Sequence, residues 1–363
     1  MERSLELSSD ATLSGETYAE LALQTSIRGG MWSRAPDDEL VDGWIERALE
    51  LADPDGPARV KALTARTFWH RPHSIDTAVE AAQRADRLDD SELRALAYTA
   101  RSYAAFAAFD FDEAMRWADN ARALETEVRD PDLLVELYFN ALPPSVARGD
   151  FDRARGLAGK HDELNSRLSS HHRVHGIGVM LEVEEQLGGW ERIASLTGVA
   201  ETRVEENLTT PCVRNSRSLF LCALANTYAG DPSEARRLEE RAEELSFEGF
   251  GLTLDGPRIR LAITRGELEK VERLVAGRSS SQAFYLGSQT ALLDGLAAIG
   301  DRERVEEATP RLLEPGTYLE PFALRALGLV REDEQLIDQA AERFAALGLA
   351  WHAEQTRKLI TQP

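Results

Sequence analysis

Apolar residues recur along most of the chain with a period close to 3.6, the spacing that places them on one face of an α-helix. After Asp110 the apolar positions are Ala114, Trp117, Ala118, Ala121 and Leu124. After Asp231 they are Ala235, Leu238, Ala242 and Leu245. Acids and arginines fill the opposite faces, and no segment alternates apolar and polar residues over the length of a strand. The pattern predicts amphipathic helices and no β-sheet.

A short turn motif repeats between these helices: a turn residue, three mostly polar residues, then a small or aliphatic residue. The clear copies begin at Asp110, Asp150, Gly189, Asp231, Glu267 and Asp301, and weaker ones begin at Asp37, Ser74 and Glu332. The clear copies lie 34 to 42 residues apart, and most have a glycine at or just before the turn. Such a glycine can end one helix in the left-handed conformation, and the acid after it can cap the next. Each repeat therefore predicts two antiparallel helices, A before the turn and B after it.

A period of this length with two helices per repeat is typical of tetratricopeptide solenoids. We predict an all-α, right-handed, tetratricopeptide (TPR)-like superhelix of about nine helix pairs. Residues 1–14 are expected to form an N-terminal tail and residues 15–363 a single helical-repeat domain. Pro143 and Pro144 are expected to interrupt the helix that contains Tyr138 and Phe139, because proline removes a helical hydrogen-bond donor.

The net charge of the chain argues against two classes of partner. Sixty-three acids against forty-two bases give a formal charge of −21, which repels nucleic acids and anionic lipid surfaces. No apolar run approaches the roughly eighteen residues of a membrane span, and the N-terminus has no secretory signal. We therefore expect a cytoplasmic protein. Cys212 and Cys222 are expected to be reduced, because ten residues of helix would separate them by about 15 Å.

Motifs for catalysis are missing from the sequence. No phosphate-binding loop and no Gly-x-Ser-x-Gly nucleophile motif occur, so no enzyme and no cofactor are predicted. The best candidate for a metal site is the pair His171 and His175, four residues apart on one helix face, with Glu182 further along that face. The pair lacks the Glu of a zinc-protease motif, Arg173 adds positive charge, and no third and fourth ligands are apparent. We therefore predict no metal, with these histidines capping and packing a helix start.

Three A helices fall in stretches without acids, which is unusual in so acidic a chain. The first stretch carries histidines and Arg173, and the second carries Arg214 and Arg217. Since equivalent positions of successive A helices stack in a solenoid, these groups are predicted to form a positive patch on the concave face that binds a carboxylate, a phosphate or an acidic peptide. The patch residues are His171, His172, Arg173, His175, Arg214, Asn215 and Arg217. The alternative is that A helices lack acids because they are buried, and that the arginines serve internal ion pairs.

A second candidate is the aromatic and basic group formed by Trp69, His70 and Arg71 just before Pro72. Its alternative interpretation is a structural corner, because the proline forces a break in the helix.

Four segments resemble a known class of protein. They are LQTSIRGGMW at 23–32, LVDGWIERA at 40–48, SHHRVHG at 170–176 and TPCVRN at 210–215. They resemble the C-terminal TPR region of actinobacterial signalling proteins, which join a class III nucleotide cyclase or a LuxR-type DNA-binding domain to a signalling ATPase. This chain has no cyclase, ATPase or helix-turn-helix portion, so the resemblance implies only a sensor or interaction surface.

These observations together predict a non-catalytic module of bacterial signal transduction that binds through its concave A-helix face. Its expected partner is a protein or peptide, acidic in character, or a small anionic ligand, and neither nucleic acid nor membrane is expected to bind. One alternative is a small-molecule or peptide receptor with a closed pocket inside the superhelix. Another is an enzyme with its site in the groove.

Overall fold

A computed structural model of the chain describes residues 10–28, 36–69, 74–246, 251–278 and 286–361. These residues form nineteen α-helices and one short 3-10 helix, Pro310–Leu312, with no strand among them. The prediction of an all-α fold is therefore confirmed.

The chain divides into two compact units, Met1–Pro144 and Ser145–Pro363. Seven helices begin in the first unit: α1 Ala11–Ile27, α2 Asp38–Leu51, α3 Pro57–Trp69, α4 Ile75–Ala85, α5 Ser91–Ala107, α6 Phe111–Arg122 and α7 Pro131–Ala147. Twelve follow in the second: α8 Phe151–Asn165, α9 Ser170–Leu187, α10 Trp190–Glu206, α11 Val213–Tyr228, α12 Pro232–Glu244, α13 Leu252–Thr264, α14 Leu268–Val275, α15 Leu286–Ala298, α16 Arg302–Ala308, α17 Leu319–Arg331, α18 Glu334–Ala346 and α19 Ala350–Thr361. Helix α1 begins inside the predicted tail, and the prediction of a single domain over 15–363 stays a prediction.

The turn motif marks the starts of the B helices. Seven of them begin one residue after the motif residues Ser74, Asp110, Asp150, Gly189, Asp231, Glu267 and Asp301. At Asp110, Asp150, Asp231 and Asp301 the carboxylate accepts the backbone N–H three residues later. Each such cap contributes about 1 kcal/mol to helix stability. The repeat boundaries predicted from the sequence are thus confirmed.

Within each unit, helices pack both in pairs and in stacks. Most A helices pack against their own B helix, as α5 does against α6 and α11 against α12. The A helices also pack against one another in sequence: α1 against α3 and α3 against α5 in the first unit, and α9, α11, α13, α15 and α17 in turn in the second. This stacking is the arrangement expected of a helical-repeat protein.

The two adjacent prolines do not interrupt their helix. Helix α7 continues through Pro143 and Pro144 to Ala147, so the predicted break is wrong. The fixed φ of proline is compatible with a helix, and its cost is a lost hydrogen bond. Ala141, Leu142, Val146 and Ala147 are buried on either side of the prolines, and their packing offsets that cost.

Among the described residues, no helix has both the length and the apolar character needed to cross a membrane.

Candidate functional site

The residues of the predicted positive patch lie at the starts of two neighbouring A helices in the second unit. His171, His172, Arg173 and His175 occupy the first turns of α9. Arg214, Asn215 and Arg217 occupy the first turns of α11. Helices α9 and α11 pack against each other. Their side chains nevertheless divide into a group near the surface and a group in the interior.

The surface group is held by local contacts. The Arg173 guanidinium is one-third exposed and donates to the Glu206 carboxylate at 3.1 Å and to the Leu168 carbonyl at 3.1 Å. The Nδ1 atom of His172 lies 2.7 Å from the hydroxyl of Ser169, the capping residue of α9. Arg173 is therefore the patch arginine that remains partly exposed.

The interior group consists of Arg214, Asn215 and Arg217, and all three have internal partners. Arg214 donates to Glu182 at 2.7 Å, and Arg217 donates to Glu182 at 3.1 Å and to Glu185 at 2.8 Å. All four of these side chains are at most 6% exposed. The Asn215 side-chain oxygen accepts a hydrogen bond from Asn207. Where the sequence predicted a surface patch, the structure places these three side chains in internal hydrogen bonds and ion pairs.

The acid-free stretches explain why the sequence analysis missed these partners. Glu182 and Glu185 lie near the end of α9, where its acid-free stretch ends, and the two arginines lie near the start of α11. Because neighbouring A helices pack side by side, the acids of one helix can balance the arginines of the next. The interpretation of buried A helices with internal ion pairs is the one that the geometry of these residues supports.

The ion pairs continue through the A helices of the second unit. Arg260 of α13 lies 3.9 Å from Glu185 and 3.5 Å from Asp294 of α15. Asp294 in turn accepts a hydrogen bond from Arg325 of α17 at 2.5 Å. The buried ion-pair chain is thus Arg214, Glu182, Arg217, Glu185, Arg260, Asp294 and Arg325. Burial raises the pKa of Glu185, and the nearby Arg217 and Arg260 oppose that rise.

Around the buried ion-pair chain, long stretches of the A helices α11 and α17 are buried on every side. Every residue from Val213 to Ala225 in α11 is buried, as is every residue from Leu319 to Gly328 in α17. The Tyr318 hydroxyl donates to the Gln186 carbonyl at 3.0 Å, which joins residues 132 positions apart. The inner side of these helices is therefore occupied by the protein's own side chains.

The A helices of the first unit differ, because several of their polar and aromatic side chains stay half-exposed. On α1, Gln24 donates to Glu20 at 2.7 Å and Arg28, just after the helix, donates to Gln24 at 2.6 Å. Lys61 of α3 pairs with Glu20 at 2.8 Å, and each side chain is about one-third exposed. Arg28 pairs with Asp132 of α7 at 2.6 Å.

Aromatic residues extend this half-exposed row. Phe68 lies seven residues after Lys61 and so on the same face of α3. Its ring centroid is 5.1 Å from that of Tyr103 on α5. We call the set Glu20, Gln24, Arg28, Lys61, Phe68, Tyr103 and Asp132 the first-unit A face. The sequence analysis missed it because its residues show no shared motif.

A third group combines two of the patch histidines with a cysteine. One ligand atom each from His171, His175 and Cys212 lie within 4.8 Å of one another. The Sγ of Cys212 is 3.4 Å from the Nε2 of His175, and the rings of His171 and His175 are 4.5 Å apart. Burial, together with the charge of Arg214, lowers the pKa of His175 well below its usual 6.5. The sequence analysis did not connect Cys212 with the histidines.

Other titratable groups nearby are buried as well. Burial, with the charges of Arg214 and His172, lowers the pKa of His161 to about 3. Both cysteines are free and buried. Burial raises the pKa of the Cys212 thiol, and it raises that of Cys222 to about 12.

Of the second predicted site, only Trp69 is described. It is the last residue of α3 and packs, partly buried, against the core formed by Ala22, Leu23, Val41, Ile45 and Ala65. His70 and Arg71 lie outside the described residues.

Comparison with known proteins identifies the fold. No protein-family model matches the chain. No curated protein matches it either. Among solved structures, the chain is similar to a Rap protein complexed with Competence and Sporulation Factor, at 13% sequence identity and a TM-score of 0.51. The similarity covers 94% of this chain and 97% of the other. The chain therefore has the TPR-like helical-repeat fold that its repeats predict.

Proposed function

We propose that this chain is a non-catalytic helical-repeat module that binds a protein or peptide partner. The observation that carries the proposal is the likeness, over almost the whole length of both chains, to a Rap protein whose structure was solved in complex with Competence and Sporulation Factor. Helical repeats bind partners through extended surfaces formed by equivalent positions of successive helices. A role in bacterial signal transduction, as the resemblance of the sequence implies, is part of the proposal.

The first-unit A face is the surface that we assign to the partner. It offers the Lys61 ammonium, the Gln24 amide and the Glu20 carboxylate, all of which remain partly exposed. The rings of Phe68 and Tyr103 are also partly exposed beside these groups. Donors and acceptors of this kind suit the backbone and charged groups of a peptide, and aromatic rings suit its apolar side chains. Among the described residues of the second unit, the inner side of the A helices is occupied by the buried ion-pair chain.

The proposal is tested by selecting peptides from a displayed random library on the immobilised full-length chain. Selected peptides are then measured by fluorescence anisotropy against the parent chain, Tyr103→Ala and Tyr98→Ala. Tyr98 is a matched control, because it lies on the same helix and packs against Trp117 of α6. We expect Tyr103→Ala to weaken binding at least about tenfold, as for an aromatic at the centre of an interface, while Tyr98→Ala binds like the parent.

Two results would contradict the proposal. One is a selection that yields no peptide above background. The other is a set of peptides whose affinity falls in Tyr98→Ala and not in Tyr103→Ala, which would exclude the first-unit A face. Far-UV circular dichroism of both variants establishes that helical content is unchanged.

A further inference from the structure

The group formed by His171, His175 and Cys212 has the composition of a transition-metal site. Two imidazoles and a thiol are the ligand types that zinc accepts, and catalytic zinc sites use three protein ligands of this kind. Of the two buried cysteines, Cys212 is the one that has two histidines within reach. This property is independent of the proposed partner binding, which uses the first unit.

The distances match those between ligands of one metal ion. Two ligands of a tetrahedral zinc ion lie about 3.3–3.6 Å apart at ordinary Zn–N and Zn–S bond lengths. The separation between Cys212 Sγ and His175 Nε2 is 3.4 Å. All three ligand atoms fall within 4.8 Å. A side-chain adjustment of about 1 Å therefore brings the third ligand into coordination, which is well within the range of a rotating histidine ring.

The backbone positions these three side chains firmly. His171 and His175 are four residues apart in α9, so both face the same side of the helix. Cys212 immediately precedes α11, as the capping residue at its start. Since α9 and α11 pack directly against each other, the ligands are brought together by the fold before any ion binds.

The neighbouring arginines are both paired with carboxylates. Arg214 lies two residues after Cys212 and would repel a cation if it were uncompensated. Its guanidinium donates to the Glu182 carboxylate at 2.7 Å. Arg173 is likewise paired with Glu206. Glu182 and Glu206 therefore compensate part of the arginine charge that argued against a metal in the sequence.

We propose that His171, His175 and Cys212 form a binding site for Zn²⁺, with the fourth coordination position taken by water or by a donor from a bound molecule. The ion would link the start of α9 to the segment between α10 and α11. The expectation that no metal binds rested on the lack of a third ligand, and Cys212 provides that ligand.

The test uses the whole chain, stripped of metal by dialysis against a chelator and kept reduced. Zn²⁺ is titrated by calorimetry, and Co²⁺ is titrated by absorption spectroscopy as a probe of ligand type and geometry. We expect one ion per chain, the visible bands of tetrahedral Co²⁺ and a thiolate-to-cobalt charge-transfer band in the near ultraviolet. Cys212→Ser should abolish the charge-transfer band, and His171→Ala should weaken Zn²⁺ binding at least about tenfold.

The second cysteine supplies a matched control. Cys222→Ser removes an equally buried thiol from α11 and should leave both the spectrum and the affinity unchanged. His171 is chosen over His175 for the affinity measurement because it is nearer the helix start, where a substitution is better tolerated. The absence of the charge-transfer band in the parent chain would overturn the proposal. So would a Cys212→Ser variant that retains the parent's affinity, or an equal loss in Cys222→Ser.

Discussion

Replacing Glu182 with glutamine keeps the shape of the side chain but removes the charge that Arg214 and Arg217 share. Glu182 accepts from both guanidinium groups, and its side chain is only 6% exposed. After the substitution, two buried positive charges face a neutral amide, and Glu185 is the carboxylate that still pairs with Arg217. Breaking a buried ion pair by removing one partner costs about 3–5 kcal/mol. A typical domain has a free energy of unfolding of about 5–15 kcal/mol, so the loss would be a large part of the total.

The assay is urea-induced unfolding of the parent and Glu182→Gln, followed by far-UV circular dichroism. We expect a clear shift of the transition midpoint to lower urea concentration. Adding Arg214→Met to Glu182→Gln should cost less than the sum of the two single substitutions, because the second change removes a charge that the first had left unbalanced. The control is Glu163→Gln, which removes an acid that pairs with Lys160 and Arg167 at the surface and should leave the midpoint unchanged.

If Glu182→Gln lowered the free energy of unfolding by less than about 1 kcal/mol, this reasoning would be refuted. Such a small loss would mean that the buried ion-pair chain does not depend on the carboxylate charge. Strict additivity of the double variant would refute it as well, because Arg214 and Glu182 would then be energetically independent.

Two further predictions concern a buried histidine and a helix end. The pKa of His161 is about 3 in the folded chain and near 6.5 when unfolded, so the unfolded chain takes up the proton first as the pH falls. The contribution of His161 to stability should therefore be complete above pH 6.5 and decline below it, by about 2 kcal/mol at pH 5, and His161→Leu should remove that part of the decline in urea titrations at each pH. Gly188 and Gly230 both have a left-handed backbone, with φ of 73° and 82°. An added Cβ on Gly188 would lie 2.9 Å from the Trp351 side chain, whereas an added Cβ on Gly230 would have no atom within 4 Å. Gly230→Ala should lower the free energy of unfolding by about 1–2 kcal/mol, because of the left-handed backbone alone. Gly188→Ala should lower the free energy of unfolding and the Tm by more than Gly230→Ala does. An equal loss in the two variants would contradict the contact with Trp351.

Most of the fold could be predicted because its signals are local. A helix start at Asp150 or Asp231 depends on a carboxylate that caps the backbone three residues later, within the same turn. The burial of Ala114, Ala118 and Ala121 follows from their spacing in a single helix. The helix through Pro143 and Pro144 is an exception, since its continuity depends on packing around the prolines and on nothing in the local sequence.

The candidate sites could be predicted only in part, because they depend on which helices become neighbours. The sequence by itself determined that Arg214 and Arg217 lie together on a helix without acids, and that His171 and His175 share a face. Only the tertiary structure decided that Arg214 would pair with Glu182, 32 residues away, and that Cys212 would meet His175 across 37 residues. Helical periodicity specifies the face on which a side chain lies. The partner of that side chain is specified by the packing of separate helices, which brings charges and ligands together over distances that no local pattern encodes.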